Sequence, residues 1–264
     1  MKTNSTLLAL TLVLAACSQD PAGDESASGV VVATEPVNYA AALASPSRLE
    51  ADYARDAGRK PDQVLDFLGV GRGMAVLDLF AGGGYYTEIL SHVVGDNGHV
   101  VSHSNEAYLN FVGEEFALRH AAGRLPNVDV LMAENNELQL DESEFDAILL
   151  VLAYHDTYFA NPKSGWDKID VPKLLAELHK GLKDDGFVGI VDHYAEAGAP
   201  RETGGTVHRI DPQIVIADME AAGFVCIGKS NLLRNLNDDY SKNVFDPEIR
   251  GKTDRFILQF KKAG

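Results

Sequence analysis

Short apolar runs alternate with amphipathic stretches over most of this chain, and their periods set the expected elements. Ala75 to Leu79, Gly98 to His103, Asn127 to Met132 and Phe145 to Leu152 read as successive strands. The last is almost continuously apolar, as suits a central strand buried on both faces. Between them, Ile89, Leu90, Val93 and Val94 recur at helical spacing, and so do Tyr108, Leu109, Val112 and Phe116 in a helix ending near Gly123. Asp170 caps a helix with Leu174, Leu175, Leu178 and Leu182 on one face, and Asp185-Gly186 then turns into a strand at Phe187 to Val191. Asp211-Pro212 opens a helix that Gly223 closes, and Phe224 to Lys229 and Arg255 to Phe260 supply two last strands. Two helices precede the series: a polar one from Ser47 to Gly58, and one opened by Pro61 with Val64, Leu65 and Leu68 on a face. Strands alternating with helices at this spacing predict an α/β fold, a mostly parallel sheet with helices on both faces.

The N-terminus falls outside that pattern. Lys2, an apolar run from Leu7 to Leu14, and then Ala15, Ala16 and Cys17 have the layout of an export signal too short to span a bilayer. Leu14-Ala15-Ala16-Cys17 looks like a bacterial lipobox. The expectation is a signal over residues 1–17 and a lipid on Cys17 that anchors an exported, periplasmic-side protein to a membrane, the outer membrane favoured. An ordinary cleaved signal is the other reading. Residues 18–44, rich in Ser, Ala, Asp, Glu and Gly, read as a flexible tether, which leaves 45–264 for the folded domain. Cys226 then has no disulfide partner and is expected to be a buried apolar residue.

Charge narrows the partners. Lys and Arg number 23 against 39 Asp and Glu, a net −16, with no basic cluster, which argues against a nucleic-acid partner and favours a small-molecule substrate. At 264 residues and 45% hydrophobic content one filled domain is sufficient.

The stretch Val76 to Thr87 passes from a strand through Gly82-Gly83-Gly84 into a helix, which makes a ligand-binding crevice. Thr87 stands where a dinucleotide-binding G-x-G-x-x-G would have its third glycine, which disfavours NAD. Asp78 in this setting either meets a ligand or merely caps the turn. No C-x-x-C is present, and the one H-x-x-x-H, His99 to His103, falls in an expected strand and not on a helix face, so no metal is expected, and no G-x-S-x-G supports a hydrolase.

In element order the chain from Pro61 to Lys262 resembles class I S-adenosylmethionine (SAM) dependent methyltransferases, and more closely a group of exported bacterial ones. The likeness is carried by Arg55-Asp56-Ala57-Gly58-Arg59-Lys60-Pro61, Asp78 to Thr87, Leu182-Lys183-Asp184-Asp185-Gly186 and His208-Arg209-Ile210-Asp211-Pro212. The resemblance implies a Rossmann-like, seven-stranded sheet with an antiparallel last strand, S-adenosyl-L-methionine as cofactor, and methyl transfer to a small acceptor. The alternative is a methyltransferase-like lipoprotein that binds a small ligand without turnover.

By the same resemblance Asp78 would hold the cofactor ammonium, and Phe80, Ala81, Gly82, Gly84, Tyr85 and Thr87 would form its turn, with Phe80 in place of the family's first glycine. Asn105 would meet the ribose where the family has an acid, and Glu134 with Asn135 would meet the adenine. Arg55 and Arg59 would close on the cofactor carboxylate or pair with Asp52 and Asp56. A base near neutral pKa suits an O–H or N–H acceptor, so His155 is the first candidate, with Tyr154 and Asp156 orienting it. His193 beside Asp192 and Tyr194, and His208 with Arg209, come next; a loop holding Gly204 and Gly205 could close as a lid.

Overall fold

The structure, a computed structural model, describes residues 37–264; the signal, Cys17 and most of the expected tether lie outside the described residues. The folded body nevertheless takes in the tether's last residues. Helix α1 (Tyr39–Leu43) starts on Asn38, whose side chain accepts from the Ala41 N–H, and the Tyr39 hydroxyl donates to Val70 O at 2.8 Å. Helix α2 (Glu50–Arg59) and helix α3 (Pro61–Leu68) are joined by Lys60 in the left-handed conformation, with Pro61 in the first helical turn as expected.

The sheet then begins. Strand β1 (Ala75–Leu79), helix α4 (Tyr85–Val94), strand β2 (His99–Ser104), helix α5 (Glu106–Arg119), strand β3 (Val128–Met132) and strand β4 (Phe145–Val151) follow in turn. Helix α6 (Val171–Gly181), strand β5 (Leu182–His193), helix α7 (Thr203–Val207), helix α8 (Pro212–Ala221), strand β6 (Phe224–Ser230) and strand β7 (Arg255–Lys262) complete the chain. The strands form one 7-stranded sheet in the order β3-β2-β1-β4-β5-β7-β6, with β7 antiparallel to both its neighbours.

Alternation along the central strands separates two apolar layers. Leu77, Leu79, Ile148, Leu150, Val188 and Ile190 face α6 and α8, while Val76, Val100, Ala147, Leu149 and Val191 face α3 and α4. Each fully buried Leu or Ile contributes about 1.5–3 kcal/mol, so the middle of the sheet is the rigid part of the molecule. Strand order reverses between β1 and β4, and a crevice opens at their carboxyl ends at such a switch point.

Three details depart from the sequence pattern. Asp185-Gly186 is not a turn before the fifth strand but part of a bulge inside it, since pairing passes from Phe145↔Leu182 directly to Ala147↔Phe187. Gly186 is required there because a Cβ would lie 2.9 Å from Asp146 O. Leu182 consequently belongs to β5 rather than to the helix face. Helix α5 stops at Arg119, short of Gly123, and Cys226 is half-buried on β6 rather than fully inside. Among the described residues no helix is long and apolar enough to cross a membrane.

Candidate active site

A cavity of about 640 Å³ lies over the carboxyl ends of β1, β4 and β5. Asp78, Phe80, Ala81 and Gly82 line it after β1, Val151, Leu152, His155 and Asp156 after β4, and His193 at the end of β5. Further lining comes from α2 (Arg55, Arg59), from α5 (Tyr108, Phe111, Val112, Glu115) and from the long β6–β7 connection (Val244, Phe245, Arg250). Six non-glycine residues have positive φ among the described residues, and three of them, Phe80 (φ 55), Leu152 (φ 58) and His208 (φ 57), line this cavity. Backbone strain thus gathers where a ligand would sit. A larger open groove of about 1140 Å³ beside α6 and α8 holds none of the three candidate histidines.

The glycine turn is built for close approach. A Cβ on Gly83 would meet Glu115 Cδ at 2.4 Å, and one on Gly84 would meet Arg119 Cδ at 2.6 Å. Those absences admit Arg119, a fully buried residue the sequence reading missed, whose Nε donates to Gly83 O at 2.5 Å. Its guanidinium also pairs with Asp52 at 2.8 Å and with Glu88, which ties the turn to α2 and α4. Gly82 (φ 58) borders open space instead, so the cavity reaches the backbone there.

Asp78 is 2% exposed, accepts from the Thr87 hydroxyl at 2.6 Å, and pairs with no cation among the described residues. Burial pushes its carboxyl up to about 6, against the lowering effect of Thr87. Thr87 therefore positions Asp78 and does not itself line the cavity. Tyr85 lines it and donates to Asp56 Oδ1 at 2.6 Å, while the Arg55 and Arg59 guanidinium groups lie 4.8 and 4.5 Å from its ring centroid. Of the two arginines, Arg55 is committed to Asp52 and Glu115, and Arg59 has no carboxylate partner among the described residues.

The expected adenosine contacts are not brought to this cavity. Asn105 is buried as the cap of α5, accepting from Tyr108 N–H at 2.8 Å and donating to Asn135 at 3.1 Å. Asn135 is consumed by that bond, and Glu134 is exposed, accepting from the Glu106 N–H. The space at the tip of β2 is taken by Phe80, whose ring lies 5.5 Å from that of His103 and 5.9 Å from that of Tyr108. His103 is fully buried, and burial lowers its imidazole to about 4, so it is a neutral brace between the turn and β3.

The histidines do converge. His155 Nδ1 lies 2.8 Å from Asp192 Oδ1, and the His155 N–H donates to Asp192 Oδ2 at 2.8 Å. Its Nε2 lies 3.2 Å from both His208 Nδ1 and Asp156 Oδ1, and His208 Nδ1 lies 3.4 Å from the same oxygen. The Tyr108 hydroxyl donates to the other Asp156 oxygen at 2.7 Å. Burial works against charge on His155, but Asp192 and Asp156 outweigh it and raise the imidazole to about 10. A proton so held makes His155 a poor neutral-pH base, a correction to its expected role. His193 is driven the other way, well below the usual histidine range, by burial and by His155, and its Nδ1 lies 2.7 Å from Thr253 Oγ1.

Two further expectations change. Tyr154 is fully buried and turned away, its hydroxyl bonded to Asp218 at 3.2 Å, so it belongs to the scaffold. Gly204 and Gly205 are not an open lid: α7 is packed onto the turn 154–158, and a Cβ on Gly204 would lie 2.4 Å from His155 O. That contact delivers His208 to the site. Arg209 is buried in a pair with Asp238 at 2.9 Å and takes no part in it.

Residues 37–157 match the family model of protein-L-isoaspartate(D-aspartate) O-methyltransferase. A ubiquinone/menaquinone biosynthesis C-methyltransferase from Idiomarina loihiensis is 31% identical over 130 residues, 49% of this chain. The chain spans about half of that relative's length (46%). A SAM-dependent methyltransferase from Aquifex aeolicus superposes with a TM-score of 0.54 at 24% identity, over 86% of this chain and 100% of the other. An S-adenosylmethionine-dependent methyltransferase from Mesorhizobium loti gives 0.50 at 14% identity, over 76% and 96%. These likenesses establish the fold.

Proposed function

We propose that the chain is a class I SAM-dependent methyltransferase that transfers a methyl group to a small acceptor held in the 640 Å³ cavity. One observation carries the reading. Asp78 and Arg59 both line the cavity, and neither has an ion-pair partner among the described residues. An amino-acid moiety satisfies both, with its ammonium on Asp78 and its carboxylate on Arg59 through charge-assisted hydrogen bonds. Gly82 leaves room for it against the backbone.

When bound, SAM supplies an electrophilic methyl group on its sulfonium. The chain's part is alignment and exclusion of water. Tyr108, Phe159 and Trp166 form an aromatic wall, with Tyr108 and Phe159 both packed edge-on to Trp166. His193, kept neutral by burial, can accept a hydrogen bond from an acceptor O–H or N–H. Asp192 fixes His155, and the pair sets the shape of the acceptor side.

A second reading, binding without turnover, is favoured by the closed tip of β2, because Asn105, Glu134 and Asn135 do not reach the cavity. Calorimetric titration with SAM tests the first reading, and transfer of a labelled methyl group to candidate acceptors separates turnover from binding alone. No heat at millimolar SAM would sink the first reading and leave the second. Export and a lipid on Cys17 belong to the proposal too, and the mass of the N-terminal peptide of the mature protein tests them.

A further inference from the structure

We propose that His155, Asp156 and His208 bind a first-row divalent transition-metal ion whose remaining coordination positions face the cavity. His155 Nε2, Asp156 Oδ1 and His208 Nδ1 form a triangle with edges of 3.2, 3.2 and 3.4 Å. Ligands about 2.0–2.1 Å from a tetrahedral ion lie about 3.3 Å apart, and around an octahedral ion about 2.9–3.0 Å apart, so the edges match a four-coordinate site. Protons on the two imidazoles satisfy the two edges to Asp156 but leave the two nitrogens facing each other. An ion satisfies all three.

The surroundings support the same conclusion. Two of the three ligand groups are held by an outer partner on the side away from the ion. His155 Nδ1 is held by Asp192 and Asp156 Oδ2 by the Tyr108 hydroxyl, the arrangement by which outer-shell groups orient metal ligands. Asp156 and Asp192 are both buried, and their two negative charges balance a divalent ion that takes the place of the proton on His155 Nε2. His208 sits at φ 57, uncommon for a residue other than glycine, at the place that closes the triangle. Two imidazoles and one carboxylate, with no thiolate, suit Zn²⁺, Fe²⁺ or Co²⁺ rather than Ca²⁺ or Mg²⁺. The open position would take an oxygen or nitrogen donor of a small molecule. The inference does not rest on methyl transfer, since a chain that fails to bind SAM would still bind the ion.

The test uses the tag-free full chain, stripped with chelator and titrated with Zn²⁺ by calorimetry and with Co²⁺ by its visible spectrum. The expected result is one ion per chain, with a Co²⁺ absorption typical of four-coordinate nitrogen and oxygen ligation. His208→Ala and Asp156→Asn should each weaken binding by more than about 100-fold, and Asp192→Asn by about 10- to 100-fold, with far-ultraviolet circular dichroism unchanged. His99→Ala, on the exposed side of the sheet, should leave it unaltered. Should the Asp156 variant fail to fold, the half-exposed His208 supplies the decision alone. Absence of saturable binding at millimolar ion, or a site that survives His208→Ala undiminished, would overturn the proposal.

Discussion

Asp78→Asn should make the protein more stable and worse at binding, and pH should separate the two effects. The Asp78 carboxyl is raised from 3.8 to about 6 because burial outweighs its Thr87 hydrogen bonds and the more distant Arg119 and Arg59 charges, neither of which pairs with it directly. A shift of roughly 2 units corresponds to about 3 kcal/mol between the charged and neutral forms. Since the folded value is the higher one, the stabilisation is fully present below the unfolded value near 4. It is lost as pH rises through about 6. Asparagine keeps an oxygen for the Thr87 hydroxyl and carries no charge to desolvate. In urea unfolding at pH 7.5 the variant should exceed the parent by up to about 3 kcal/mol, and the difference should vanish near pH 4.

Ligand binding runs the opposite way, because an ammonium needs the ionised carboxylate. Loss of that charge-assisted bond should weaken SAM by about 2–3 kcal/mol, or about 30- to 150-fold. In the parent, binding near pH 6 should release about half a proton as the ligand draws Asp78 into its charged form, measurable as a buffer-dependent heat. An Asn variant no more stable at pH 7.5, or a stability difference that is the same at pH 4, would refute the claim that Asp78 is an unpaired buried charge awaiting a cation.

Gly204→Ala places a Cβ 2.4 Å from His155 O, so α7 must shift. The variant should lose about 1–3 kcal/mol in urea, and an unchanged midpoint would mean the contact is not tight. Phe80→Ala and Phe80→Gly both remove a buried ring that is worth about 3–5 kcal/mol, but Gly alone tolerates φ 55, so the Gly variant should be the more stable by about 1 kcal/mol. Asn105→Ala should lower the melting midpoint through loss of a helix cap worth about 1 kcal/mol and leave SAM affinity unchanged; a large loss of affinity would return Asn105 to the site.

What the chain announces in advance is what it encodes locally. β1, the glycine turn and α4 are contiguous, so period, glycine spacing and the acid at the strand end were all visible together, and Asp78 stands where it was expected. Helix α5 was legible as a helix but its facing was not. Tyr108 and Val112 recur at the spacing of core residues, yet they line the cavity, and Phe111 beside them is 70% exposed. Periodicity reports an apolar face and does not say whether protein or ligand covers it. Nor did it show that Phe80 would keep the left-handed backbone of the glycine it replaces and fill the β2 tip with its ring.

The histidines were named from the sequence, but that His155, Asp156 and His208 would meet at one point was not legible, for a different reason. His155 and Asp156 adjoin in sequence, but His208 arrives from the far end of α7, and no spacing rule for metal ligands covers such a gap. The one local trace was Gly204-Gly205, two residues without side chains where α7 must meet the backbone after β4. Strand order then does the rest. β1 delivers Asp78 and β4 delivers His155, and these parallel strands are neighbours because the strand order reverses between them. A locally encoded charge site and a site assembled by chain closure therefore open into one cavity. That juxtaposition is what allows a charged, amino-acid-bearing ligand on one side to meet a second molecule held by the histidines on the other.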